Sequence, residues 1–259
     1  NPLNLTSYGL GQLILHAIEN QYSKILIGLG GTSTADGGIG ALQAMGVNFL
    51  SKDGKELKPL NNNYFTASDL PFINDLKFGS VRNITKEISM TALCDGSINV
   101  KQMIIPTNLK ISKYFDNQRK EILNQLMSGL YQYCKIVRSK LPESSCYTDI
   151  ESEPYLGAGG GSLLSLIMAF NIKVELGAQY FLKLFEVESY IKKCDLVITG
   201  EGKFDNSFMG KTPISISHLA KKNNKRVLYI CGNVDTSYKK YFKKYNSESL
   251  PPEFHENGV

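Results

Sequence analysis

The sequence predicts an α/β protein with parallel strands, and three of its features support this prediction. In the last third of the chain, two short apolar runs, residues 195–199 and 226–231, flank a helix-like segment at residues 213–223. Strands that alternate with helices are typical of parallel βαβ structure. Near the start, another apolar run, residues 24–29, leads directly into a glycine-rich loop, as expected of a buried strand.

The first half of the chain contains further predicted elements. Residues 10–21 are predicted to form a helix because apolar side chains recur on one face, and residues 38–45 a shorter one. A hairpin is predicted at residues 47–57, turning at Asp53 and Gly54, and a strand at residues 88–94. The Asn-rich residues 58–85 are aperiodic.

The second half begins with the clearest helical pattern, at residues 116–140, where apolar residues recur at spacings of three and four. A glycine cluster at residues 157–161 precedes an apolar segment that predicts a buried helix. Ligands of parallel α/β sheets bind outside the carboxyl ends of the strands. The loops after residues 24–29, 195–199 and 226–231 are therefore the places to search for a site.

Composition limits the class of protein. The 259 residues carry a formal charge of +5, and 42% of them are hydrophobic. No apolar run approaches the roughly 18 to 20 residues that span a bilayer, and the first residues lack a signal-peptide pattern. We expect a cytoplasmic protein without membrane or nucleic-acid partners. The basic run at residues 238–246 is predicted to be a solvated helix, and the five scattered cysteines favour neither zinc nor disulfides.

The stretch IGLGGTSTADGGIG, residues 27–40, is the first candidate site. It fails the dinucleotide-binding pattern because Ser33 stands where the third glycine is required. Its glycines still allow backbone N–H groups to approach an anion, and Thr32 and Thr34 add hydroxyl groups. Asp36 would repel phosphate unless it bound a metal, oriented a hydroxyl group or accepted a proton. The alternative is that Asp36 caps the following helix.

The stretch TGEGKFDNSFMGKT, residues 199–212, is the second candidate. A Walker A loop is excluded because Asp205 occupies a required glycine position and Pro213 follows the threonine. Glu201, Lys203 and Asp205 alternate after a strand, and carboxylates beside a cation suit Mg²⁺ and phosphate. A charged solvent-exposed loop is the alternative.

The stretch GAGGGS, residues 157–162, is the third candidate. It could present backbone amides to an anion at the start of a helix. Close packing of the backbone through glycine explains the same residues equally well. The sequence leaves both interpretations open.

Together these motifs resemble the bacterial glycerate 2-kinase family, whose enzymes phosphorylate D-glycerate at O2 with ATP and Mg²⁺. The resemblance covers most of residues 1–233, where the following segments occur in the family's order: LTSYGLGQLI, GLGGTSTADGGIGALQAMGV, EPYLGAGGGSLLSLIMAF, DLVITGEGKFD, GKTPISISHLAKK and RVLYICG. Two positions depart from the family pattern: Ala35 replaces an asparagine, and Lys203 replaces an arginine and so lacks its bidentate fork.

The resemblance implies a role for each candidate residue. Asp36 would orient or deprotonate the attacking hydroxyl group, and Lys203 and Asp205 would complete the catalytic set. The remaining roles concern binding: substrate at Gly31, Thr32, Ser33, Thr34 and Glu201; nucleotide at Gly159, Gly160 and Lys211; and Mg²⁺ at Glu201 and Asp205.

The resemblance also implies a two-domain α/β architecture. Residues 1–194 would form most of the larger, substrate-side domain, and residues 195–259 the C-terminal part of a Rossmann-like domain. The family's N-terminal segment has no counterpart in these residues, and the loop at residues 94–99 is shorter than its family equivalent. A truncated or diverged non-catalytic paralogue, acting as a binding or structural module, is therefore the alternative function. The oligomeric state has no signal in the sequence.

Overall fold

The computed structural model describes residues 1–61, 63–85, 87–105, 116–204 and 211–234. The chain divides into two compact units, Asn1–Val174 and Glu175–Val259. The basic run at residues 238–246 lies outside the described residues, so its predicted helix stays a prediction.

The first unit opens with a 3₁₀ turn, Pro2–Asn4, and then alternates helices and strands. In chain order its elements are α1 (Tyr8–Glu19), β1 (Lys24–Leu29), α2 (Ile39–Ala44), β2 (Asn48–Leu50), a 3₁₀ helix (Ala67–Phe72), β3 (Asp75–Lys77), α3 (Val81–Thr85), β4 (Ser89–Cys94), α4 (Val100–Met103), α5 (Asp116–Lys140), α6 (Ala158–Gly161) and α7 (Leu163–Ala169). β5 (Ile172–Leu176) follows α7. The helices predicted at residues 10–21 and 116–140 and the strands predicted at residues 24–29 and 88–94 are confirmed, to within two residues at their ends.

A parallel sheet positions the loops of the first unit. β1 pairs with β4 in parallel, from Lys24 opposite Ser89 to Leu29 opposite Cys94, and β5 lies on the other side of β4. Because β1 and β4 end side by side, the loops that follow them start at the same edge of the sheet. This edge is where ligands bind in open parallel sheets.

The hairpin predicted at residues 47–57 is only partly correct. The chain does turn there, since Ser51 N–H donates to the Lys55 carbonyl and Leu57 N–H to the Phe49 carbonyl, both at 2.8 Å, but the pairing is an isolated bridge between Leu50 and Glu56 and not a pair of strands. The strand partner of β2 is β3, with Phe49 opposite Leu76. Both of these side chains are buried, so tertiary burial decides the pairing over the local turn.

The segment predicted to be aperiodic, residues 58–85, contains structure that the sequence analysis missed. Besides β3 and α3 it holds the 3₁₀ helix Ala67–Phe72, which begins at a capping box formed by Thr66 and Asp69. The signal was present, because a threonine followed three residues later by an acid is the capping-box pattern.

Helix α5 forms one wall of the core of the first unit. Its side chains Leu126, Leu130 and Tyr133 are fully buried, and it packs on the 3₁₀ helix Ala67–Phe72. Full burial of a leucine side chain contributes roughly 1.5–3 kcal/mol. The apolar face predicted from residue spacing is therefore the face that holds the unit together.

The second unit is built on a parallel βαβ arrangement, as predicted from the alternation of its sequence. Its elements are α8 (Gly177–Leu184), α9 (Val187–Lys193), β6 (Leu196–Phe204), α10 (Thr212–Lys222) and β7 (Arg226–Val234). β6 and β7 pair in parallel from Leu196 opposite Arg226 to Phe204 opposite Val234. Helices α8 and α9 pack on α10, and the second compact unit begins at Glu175. The domain boundary predicted at residues 194 and 195 stays a prediction.

The two faces of the β6–β7 sheet differ. Val197 and Val227 pack with Ala220 of α10 in a small apolar cluster. On the opposite face the large apolar side chains are 41–61% exposed: Leu196, Ile198, Leu228 and Ile230.

Within the part of the chain that the structure describes, no helix has the length and apolar character needed to cross a membrane.

Candidate functional site

A pocket of about 170 Å³ opens at the carboxyl ends of β1 and β4. It is lined by residues 29–34, Asp95, Gly96, Ile98, Met103 and residues 157–160. The predicted substrate residues Gly31 to Thr34 and the predicted nucleotide residues Gly159 and Gly160 therefore share one pocket. The structure brings together two motifs that lie more than a hundred positions apart in the sequence.

The two glycine motifs fit against each other closely. A Cβ atom at Gly160 would overlap the carbonyl oxygen of Thr34, and Gly160 has a φ of 70°, which a side chain disfavours. The N–H of Gly37 donates to the carbonyl of Gly160 at 3.1 Å. The two interpretations of residues 157–162 are therefore compatible, since the glycines pack tightly and also line the pocket.

Asp36 lies beneath the loop and is fully buried. Ser7 donates to its Oδ2 atom twice, through the backbone N–H at 2.7 Å and through the hydroxyl at 2.8 Å. The N–H groups of Gly38 and Gly40 donate to Oδ1 and Oδ2 at 3.1 and 3.3 Å. In this geometry the carboxylate caps the start of α2, the alternative that the sequence left open.

Burial sets the protonation behaviour of Asp36. Removal from water raises the pKa of its carboxyl group above the ordinary value, and the hydrogen bonds from Ser7, Gly38 and Gly40 act in the opposite direction. Both of its oxygens already accept hydrogen bonds from the protein. Its predicted role as a catalytic base stays a prediction, and Asp36 is not among the residues that line the pocket.

A second buried network supports the loop from the other side. The hydroxyl of Ser165, on α7, donates to the carbonyl of Gly37 at 2.7 Å. Since that hydroxyl group has a single proton, it accepts from the Tyr133 hydroxyl, which lies 2.7 Å away. Sequence reasoning missed Ser7, Tyr133 and Ser165 because their partners are distant in the chain.

Ala35, where the family pattern has asparagine, does not face the pocket. Its side chain is fully buried and belongs to the hydrophobic core of the first unit. The departure from the family pattern at this position therefore lies in the core beneath the loop, outside the described pocket lining.

Asp95 is a charged pocket residue that the sequence analysis did not single out. It follows β4 directly, and its exposed side chain lines the pocket beside the hydroxyl groups of the loop. The signal available in the sequence was that Asp95 directly follows the strand predicted at residues 88–94. Ligands of parallel sheets bind at the carboxyl ends of such strands.

The other predicted residues belong to the second unit. Glu201 lies on β6, where its Oε1 atom accepts a hydrogen bond from the Tyr229 hydroxyl at 2.6 Å. Lys211 is the residue that precedes α10, in the N-cap position. The side chain of Lys203 and all of Asp205 lie outside the described residues, so the predicted catalytic and metal-binding roles there stay predictions.

Metal ligands are sparse in the part of the chain that is described. Its residues include no group of three or more His, Cys, Asp or Glu side chains placed to hold a metal ion. Glu201 does offer a carboxylate oxygen, the hard ligand that Mg²⁺ requires. A Mg²⁺ site here would need a further ligand from outside this set, such as Asp205 or the substrate's phosphate groups.

Comparison with known proteins finds a matching family and several similar relatives. The sequence profile described as "Glycerate kinase family" matches residues 1–250. Glycerate 2-kinase from Escherichia coli (strain K12) is 31% identical over 238 residues, covering 90% of this chain and 58% of that protein. Glycerate kinase from Haemophilus influenzae (strain ATCC 51907 / DSM 11121 / KW20 / Rd) is 30% identical over 262 residues, covering 100% of this chain and 65% of that protein.

A solved structure matches the fold. The crystal structure assigned to glycerate kinase 2 from Salmonella typhimurium LT2 superposes with a TM-score of 0.64 at 24% identity, covering 91% of this chain and 62% of that chain. Glycerate kinase from Bacillus cereus (strain ATCC 10987 / NRS 248), at 30% identity, is covered over 61% of its length. This chain thus spans about three fifths of the length of the relatives that it matches.

Proposed function

Since this chain belongs to the glycerate kinase family, we propose that it serves the ATP-dependent phosphorylation of D-glycerate to 2-phosphoglycerate. The observation that carries the proposal is the pocket in which the loop of residues 30–34 faces Gly159 and Gly160. It combines hydroxyl groups, exposed glycine backbone and one carboxylate at the carboxyl ends of parallel strands.

The size of the pocket supports a small substrate. Its volume of about 170 Å³ is below the roughly 300 Å³ at which pockets for drug-sized ligands begin. A three-carbon hydroxy acid suits this space, whereas a whole nucleotide needs additional surface. We assign Gly31, Thr32, Ser33 and Thr34 to the hydroxy acid, with the Thr32 and Ser33 hydroxyl groups donating to its carboxylate.

The phosphate donor in the proposal is ATP. Gly159 and Gly160 line the same pocket as the substrate loop, so we place the transferred phosphoryl group beside them. In the second unit we assign Lys211 to nucleotide binding. Lys203 would neutralise phosphate charge, and Mg²⁺ on Glu201 and Asp205 would supply charge neutralisation that phosphoryl transfer requires. Tyr229 leaves Oε2 of Glu201 for that contact, because it donates to Oε1.

The role of Asp36 in this proposal is to support the loop. Its complete burial and its hydrogen bonds to Ser7, Gly38 and Gly40 favour capping over direct contact with substrate. The catalytic role predicted from the resemblance would require the carboxylate to exchange these partners for the substrate hydroxyl group.

The remaining expectations are part of the same proposal. No observation on the described residues or in the comparisons favours the non-catalytic alternative. The small-molecule partners would be the hydroxy acid and ATP, and the cytoplasmic location stays a prediction.

We also propose that the second unit is one part of a Rossmann-like domain, which agrees with its parallel β6–β7 pair and the exposed apolar face opposite α10. The chain of residues 1–259 should then bind the dye ANS at this face. Exchange of Ile198 and Ile230 for serine should reduce the fluorescence of the bound dye. Equal fluorescence from both proteins would contradict an exposed apolar face.

The proposed function is tested by glycerate-dependent ADP formation in the full-length protein, with ³¹P NMR to distinguish 2-phosphoglycerate from 3-phosphoglycerate. The double variant Thr32→Ala/Ser33→Ala should raise the KM for D-glycerate about tenfold or more, because hydrogen bonds to a charged group contribute roughly 1.5–3 kcal/mol each.

The matched control exchanges two exposed hydroxyl residues outside the pocket, Ser144→Ala/Thr148→Ala. This control should keep the KM of the parent protein. Absence of ADP formation on addition of D-glycerate would refute the proposed activity, and equal KM values for the two double variants would refute the assignment of the loop.

A further inference from the structure

Asp95 is held over the loop by the backbone of the sheet. Its N–H donates to the carbonyl of Leu29 at 3.3 Å, which extends the β1–β4 pairing one residue beyond the strands. A Cβ atom at Gly30 would lie 2.8 Å from the Cβ of Asp95. The side chain of Asp95 therefore stands directly beside Gly30, where only a glycine leaves enough space for it.

Asp95 supplies the pocket's ionisable group. The residues that line the pocket, all of them in the described part of the chain, otherwise carry hydroxyl groups, apolar side chains or none. Its carboxylate makes no hydrogen bond or ion pair with another described residue, in contrast to Asp36, whose two oxygens accept four hydrogen bonds. Of the two acids near the loop, Asp95 is the one that can reach a ligand.

The charge of Asp95 would also orient a hydroxy acid within the pocket. A carboxylate repels the carboxylate of the substrate and attracts a hydroxyl proton. The substrate carboxylate would therefore be directed towards Thr32 and Ser33, and the substrate hydroxyl group towards Asp95. A proton acceptor would then lie next to the attacking oxygen, which is the geometric requirement for a general base.

We infer that Asp95, rather than Asp36, is the catalytic carboxylate that accepts the proton of the attacking substrate hydroxyl group. The inference rests on the proposed function. The hydroxyl oxygen forms a bond to the γ-phosphorus of ATP, and its proton passes to a carboxylate oxygen of Asp95. The bond between the γ-phosphorus and the β,γ-bridging oxygen breaks, and its electron pair leaves with ADP.

The test compares Asp95→Asn with the parent in the full-length protein. Asparagine keeps the shape of the side chain but cannot take up the proton, so kcat should fall by about 10²- to 10⁴-fold. The KM for ATP should stay within threefold. D-Glycerate binding, measured by calorimetry without ATP, should also persist, because the Thr32 and Ser33 contacts remain.

The matched control is Asp53→Asn, an exposed acid in the turn after β2, which should keep the kcat of the parent. Asp95→Ala is a second variant that should show the same loss of kcat. Circular dichroism and thermal unfolding of each variant establish that it is folded.

Three outcomes would overturn the inference. If the parent forms ADP with D-glycerate and Asp95→Asn retains kcat within threefold, Asp95 is not the base and the proposed function stands. If high Mg²⁺ restores the activity of Asp95→Asn, its carboxylate holds the metal instead. If the parent itself shows no glycerate-dependent ADP formation, the proposed function fails, and this inference fails with it.

Discussion

Ser7 and Asp36, 29 positions apart in the chain, form a buried pair joined by two hydrogen bonds. Ser7 donates its backbone N–H and its hydroxyl to one oxygen of Asp36, at 2.7 and 2.8 Å. The same hydroxyl accepts from the N–H of Ala41 at 3.0 Å. The pair therefore ties the residue before α1 to the start of α2 and fixes the loop between β1 and α2.

Replacement of Ser7 by alanine should lower the free energy of unfolding of the first unit by about 2–3 kcal/mol, because a buried carboxylate and a buried N–H each lose a partner. Urea unfolding followed by circular dichroism measures the change. The control is Ser139→Ala, whose hydroxyl donates only to the Ile136 carbonyl of its own helix and should change stability by less than about 0.5 kcal/mol. Equal losses in the two variants would show that the Ser7 network contributes little.

The stability of the protein relative to Asp36→Asn should depend on pH. Because burial raises the pKa of Asp36 above its ordinary 3.8, the folded protein holds this proton more tightly than the unfolded chain does. The contribution of Asp36 is therefore fully present below pH 3.8 and is lost as the pH rises through the folded-state pKa. Asparagine does not titrate, so the advantage of the parent over Asp36→Asn should decrease from pH 4 towards neutrality, by at most about 1.4 kcal/mol per pH unit.

Urea unfolding of both proteins at a series of pH values measures this difference. Subtracting the unfolding free energy of Asp36→Asn from that of the parent cancels the titration of all groups that the two proteins share. An advantage of the parent that grows with pH would mean that the hydrogen bonds outweigh burial and that the pKa of Asp36 is lowered.

Replacement of Gly160 by alanine should damage both the pocket and the fold. The new methyl group would overlap the Thr34 carbonyl oxygen, at a backbone φ of 70°. Positive φ costs a residue with a side chain roughly 1–2 kcal/mol, and forced packing adds about 1–3 kcal/mol. Gly54→Ala is the matched control, because Gly54 has a φ of 73° but open space around it. Thermal unfolding and D-glycerate calorimetry should show a larger loss for Gly160→Ala, and similar losses for both variants would contradict the close fit.

Replacement of Tyr229 by phenylalanine should affect function more than stability. Burial and the neighbouring Glu201 raise the pKa of Tyr229, so its hydroxyl remains a donor to Glu201 at neutral pH. Loss of this partly buried hydrogen bond costs about 0.5–1.5 kcal/mol of stability. If Glu201 binds Mg²⁺ or substrate, the concentration of one of them at half-maximal activity should rise several-fold. The control is Tyr190→Phe, because that side chain is 68% exposed. It should change neither the stability nor the concentrations of Mg²⁺ and substrate at half-maximal activity. If Tyr229→Phe also leaves these concentrations unchanged, Glu201 does not bind Mg²⁺ or substrate.

The sequence by itself determined the local elements. Apolar runs mark β1, β6 and β7, the spacing of apolar residues marks α5, and the glycines at positions 30 and 31 mark the loop after β1. These predictions succeed because strands, helices and glycine-rich turns depend on residues a few positions apart.

Only the tertiary structure decided which acid faces the pocket. Asp36 stands among the hydroxyl residues of the loop motif, yet Ser7 and the start of α2 enclose it, while Asp95 comes from another strand and reaches the pocket. The fit of Gly160 against Thr34 is equally invisible in the sequence. The physical reason is that burial and hydrogen bonding of a side chain depend on partners that the parallel sheet brings together from distant parts of the chain.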